Sequence, residues 1–125
     1  MENSELIKLI ERLNDLSIQY SKNRSKLTIF EQTIEIELLK CNLVGDLKRK
    51  EKLLNQKSNN YKKFIELGEK VMILMDEVIS KIHNEFGTEL GNKSYEILEI
   101  IGNSLEETKD EYTKINMELV DFIQV

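Results

Sequence analysis

His83 is the only histidine and Cys41 the only cysteine among 125 residues. The side chains best suited to bind a metal or attack a carbonyl are therefore scarce. A zinc site needs about four ligands, so His83 would have to recruit carboxylates for the rest. The Glu-x-x-His spacing of carboxylate-bridged metal bundles is missing too, because Ser80 stands three residues before His83. Near a helix C-terminus, a histidine is instead expected to complement the helix dipole. Cys41 lies among Leu38, Leu39, Leu43 and Val44. With no base or cationic neighbour legible, it is expected to pack as a small apolar side chain. Gly87 and Gly91, followed by Lys93-Ser94, superficially suggest a phosphate-binding loop. That loop requires four residues between its glycines and a preceding strand, and neither condition holds. No catalytic residue, metal or cofactor is predicted, and the chain reads as non-enzymatic.

The next feature able to bind something is charge. Net charge is −5, but it is unevenly spread. Residues 48–63 hold seven basic side chains and one acidic one, whereas residues 64–125 hold five basic and fourteen acidic. The acidic half would repel a polyanion, which argues against nucleic acid as a partner. The run Lys48-Arg49-Lys50-Glu51-Lys52 lacks interleaved aromatics and reads as a solvated helix face.

These residues must be carried by helices. Proline is absent and charged residues make up 33% of the chain, a composition suited to long helices with one wet face. Leu6, Leu9, Leu13, Leu16, Tyr20, Asn23, Leu27, Phe30 and Ile34 alternate in steps of three and four. That is a heptad seam with Asn23 as a polar register residue. Gly45-Asp46 offers one possible break. Leu47 and Leu54 extend the apolar pattern, however, so a first helix over about 3–56 is expected. The turn would then fall at Lys57-Ser58-Asn59-Asn60. A second helix, about 60–86, carries Phe64, Val71, Met75 and Ile82 in one row and Ile65, Met72, Ile79 and Phe86 in an adjoining row. Two rows make a broad face that needs more than one neighbour. The third helix, about 92–123, follows a joint at 87–92. The expected fold is all-α and a single domain. It is an elongated antiparallel hairpin or coiled coil with a jointed second arm, or a three-helix bundle if the third segment folds back.

A two-helix hairpin would leave apolar surface over, so a helical protein partner or self-association as a dimer is expected. Leu27, Phe30, Phe64, Met72, Met75 and Phe86 are the predicted partner contacts. The longest wholly apolar run, Val71–Met75, is far short of a membrane span of about 20 residues. The charged N-terminus does not read as a signal peptide. A cytoplasmic location is expected, with leaderless export as a further route.

Tyr95-Glu96-Ile97-Leu98-Glu99 matches the Tyr-x-x-x-Asp/Glu pattern associated with type VII secretion in Gram-positive bacteria. In that motif and in its proline-poor helical layout, the chain resembles the small accessory, chaperone-like proteins that accompany LXG-domain toxins. It is related in outline to the WXG-type hairpins, though Lys57-Ser58-Asn59-Asn60 replaces their Trp-x-Gly turn. The resemblance implies a targeting chaperone that packs against the long helical LXG region of a toxin. The alternative suggested by the acidic segment 64–125 is a helical inhibitor, encoded by a phage or mobile element, that occupies a basic protein surface.

Overall fold

A computed structural model of the chain describes residues 2–124. It is all-α. Helix α1 spans Glu2–Val44, α2 Leu47–Phe86 and α3 Thr88–Gln124. Their 43, 40 and 37 residues correspond to rods of about 65, 60 and 55 Å. Helix α2 packs against both of the others. The third segment therefore folds back, and the arrangement is a three-helix bundle with short antiparallel connections.

The first turn corrects the expected boundaries. It falls at Gly45-Asp46, not at 57–60. Gly45 adopts a positive φ of 72°, which costs a glycine little and any other residue more. The Asp46 carboxylate then accepts the Arg49 amide at 3.1 Å and caps α2. Leu47, which had argued for continuation, is largely exposed. Residues 57–60 lie inside α2 because their polar groups are satisfied there. The Lys57 ammonium donates to Glu35 across the hairpin at 2.6 Å, and the Ser58 hydroxyl donates to Asn116 of α3 at 2.7 Å. Asn60 donates back to the Gln56 carbonyl.

The second connection is also tighter than expected. Gly87 alone leaves the helical conformation, with φ of 104°, and α3 starts at Thr88 rather than near 92. Gly91 is helical and packs on His83. A Cβ there would lie 2.6 Å from the imidazole Nδ1. The Ser94 hydroxyl donates to the Leu90 carbonyl within α3.

The core follows the seams. Leu13, Leu16, Leu27 and Ile34 of α1 share one core with Phe64, Ile65, Val71, Met75 and Ile79 of α2 and with Ile101, Leu105 and Ile115 of α3. At mid-height all three helices meet. Gly68 sits between Leu105 of α3 and Tyr20 of α1. The Tyr20 ring tilts against Phe64 at 5.4 Å, and its hydroxyl donates to Ser104 at 2.8 Å, tying α1 to α3.

Candidate protein-interaction surface

The chemistry-capable residues are dispersed. Cys41 is buried in the α1 core row, while His83 is exposed near the far end of α2. Among the described residues, no three His, Cys, Asp or Glu side chains converge to hold a metal ion.

The predicted partner contacts divide into two groups. Leu27, Phe64 and Met75 are 5%, 4% and 0% exposed. The intramolecular core takes them: Phe64 packs against Tyr20 of α1, and the broad face of α2 is flanked by both of the other helices. Phe30, Met72 and Phe86 are half-buried at its edges. Of these, Met72 borders a groove of about 530 Å³ between α2 and α3, with Ile73, Tyr95, Leu98 and Gly102. Glu69, Glu99 and Glu106 rim this groove. Lys109 lies between Glu69 and Glu106 at 3.1 and 3.4 Å. Its bond to Glu69, more than any other influence, pushes its pKa above the usual lysine value.

A second apolar surface lies on the outer face of α1. Ile18 and Ile36 each stand nine residues from core residue Leu27, which is about two and a half turns and therefore the opposite side of the helix. Ile7, Ile29 and Leu43 fall on the same outer line. All five are exposed. Helix α1 thus carries apolar residues on two opposed faces, only one of them covered by its own bundle. The outer stripe ends at the first turn, where Leu43, Val44 and Leu47 are 79%, 78% and 64% exposed. The turn itself is held firmly. Arg49 of α2 donates to Glu37 of α1 at 2.9 Å, and this bond, with Lys40 adding to it, lowers the Glu37 pKa.

Reading the seam alone missed this stripe. Its residues fall between the positions of the heptad seam, which count only the leucine side of the helix. The usable signal was their half-turn offset from the leucines of the seam.

Fold and surface together define an all-helical protein with one line of exposed apolar residues along the outer face of α1 and its adjoining turn, and others, such as Ile73, Ile100 and Met117, on α2 and α3. Comparison with known proteins finds no matching family model, curated protein or solved structure. No helix among the described residues is long and apolar enough to cross a membrane.

Proposed function

We propose that the protein is a non-enzymatic helical adaptor or targeting chaperone that packs its outer α1 face against a long helical region of a partner. The observation supporting this reading is the apolar end of that face: Ile36, Leu39, Leu43, Val44 and Leu47 are all exposed on the helices that flank the capped turn. Burying such side chains is worth about 25 cal/mol per Å² of apolar surface removed from water. A partner helix laid along the stripe supplies that burial in the helix-against-helix mode. The sequence resemblance directs the choice of partner to the LXG region of a type VII secreted toxin.

The test is co-expression with an LXG-type helical region encoded beside this chain, followed by co-purification and a binding isotherm. Leu43→Ser, Val44→Ser and Leu47→Ser combined should weaken binding at least about tenfold, or ~1.4 kcal/mol, while leaving the helical circular dichroism intact. Binding unaffected by the triple substitution would refute this use of the surface.

The acidic-rimmed groove at Met72 favours a second reading, the inhibitor of a basic protein surface. Binding there would fall steeply with salt, whereas apolar packing along α1 would not.

A further inference from the structure

The half of the outer α1 stripe nearer the N-terminus has a property that the half ending at the turn lacks: it matches itself. Ile7, Ile18 and Ile29 are evenly spaced at eleven residues and all exposed. Eleven residues make about three turns plus 20°, so the three side chains form a nearly straight line with Ile18 at its centre. Reversing the helix about Ile18 lays Ile7 on Ile29, Ile18 on Ile18, and Ile29 on Ile7.

The charges beside this line follow the same symmetry. Glu11, Asp15, Lys22 and Lys26 are exposed and lie on one flank, about 20–80° round the helix from Ile18. The other flank is uncharged over the same length, with Asn14, Ser21, Ser25 and Thr28. Asp15 stands three residues before Ile18 and Lys22 four after it; Glu11 stands seven before and Lys26 eight after. Reversal about Ile18 therefore places each carboxylate within about one residue of an ammonium. Lys8, on the same flank, lies beyond Glu11 towards the end of the contact. None of Glu11, Asp15, Lys22 and Lys26 is engaged in an ion pair among the described residues.

Orientation follows from the flanks. Two antiparallel helices related by a two-fold axis bring like flanks together, so the charged flank meets its own copy and acid meets base. Two parallel helices bring unlike flanks together, leaving every charge against an uncharged edge. We infer that the α1 outer face pairs with a second copy of this chain, antiparallel, with the two-fold axis at Ile18, Ile7 against Ile29 of the second copy, and Asp15 and Glu11 against its Lys22 and Lys26. The contact ends near Ile29. Leu43, Val44 and Leu47 remain uncovered in this dimer, one cluster at each of its opposite ends. The inference does not depend on the adaptor reading.

Sedimentation equilibrium of the full chain should show a dimer, and Ile18→Asp should make it monomeric with unchanged circular dichroism. Asp15→Lys and Lys22→Asp should each weaken dimerisation about tenfold, since each disrupts two rim pairs and adds repulsion, and the double variant should recover most of the loss. An oxidised mixture of Ile7→Cys and Ile29→Cys chains should give a mixed disulfide dimer that neither forms alone. The native chain, with Cys41 buried, is the control. A monomer at every concentration, a double charge variant no better than the singles, or cross-linking of Ile7→Cys with itself would each overturn the pairing. A monomer that still binds a partner helix through Leu43, Val44 and Leu47 would overturn the dimer and leave the adaptor reading standing.

Discussion

Gly68→Ala tests the three-helix arrangement where all three helices meet. In an isolated helix, alanine is favoured over glycine by about 1 kcal/mol, so propensity alone predicts stabilisation. The structure predicts otherwise. The added methyl would stand 2.9 Å from Leu105 Cδ1 and 3.3 Å from the Tyr20 ring. Leu105 is 2% exposed, so its shift would disturb the core. Tyr20 is held by its bond to Ser104. Overpacking of this kind costs about 1–3 kcal/mol, leaving a net loss of roughly 0–2 kcal/mol, or a few degrees in Tm. Gly102→Ala is the matched control. Its methyl would meet only Met72 Cε, at 3.2 Å, the free end of a half-buried flexible chain. That variant should keep much of its propensity gain. Urea unfolding followed by circular dichroism measures both, and the two should differ by about 1–3 kcal/mol. Equal stabilisation by the two alanines would refute the close contact. A two-helix hairpin would also fail to bring Tyr20 and Leu105 onto one residue.

Other outcomes follow from burial and ionisation. Met75→Ala, at a fully buried position, should cost about 2–5 kcal/mol, whereas Met117→Ala, at 62% exposure, should stay within about 0.5 kcal/mol; chemical denaturation compares them directly. Tyr61 has its pKa raised, first by burial and then by the Glu31 carboxylate. Its contribution to stability is therefore complete below the ordinary tyrosine value of about 10 and is lost progressively as pH rises beyond it, because the unfolded chain releases that proton first. Tyr61→Phe should reduce the loss of stability measured between pH 9 and 11 (about one unit either side of that value), and an unchanged slope would show that Tyr61 ionises as freely in the fold as outside it.

The helical class and the core rows of α1 and α2 were legible from periodicity, because burial follows the spacing at Leu13, Leu16, Leu27 and Ile34 and at Phe64, Val71, Met75 and Ile82. The position of the first turn was less legible. Leu54 is a core residue and Leu47 is not, yet both fit a continued stripe, and only the Gly45-Asp46 pair distinguished the alternatives. Lys57-Ser58-Asn59-Asn60 has the composition of a turn. Its helical state depends on Glu35 and Asn116, which are remote in sequence and whose arrival local propensity cannot register. The interaction surface was the least legible. A sequence shows which residues are apolar, but the fold decides which of them the chain itself covers. Packing among the three helices made Phe64 and Met75 core residues and left the outer isoleucines of α1 exposed.

The connectors, two residues at Gly45-Asp46 and one at Gly87, have a consequence for how the chain reaches this state. Each joins helices that pack directly, so closing either hairpin fixes very little loop and carries a small entropic penalty. Most interhelical pairing can then spread outward from its own turn, with α2 as the shared template. Such local topology belongs to the fast-folding class, on the scale of microseconds to milliseconds. The bond from Tyr20 to Ser104 spans 84 positions and has no nearby turn to assist it. It should form late, as the lock that joins two hairpins already zipped.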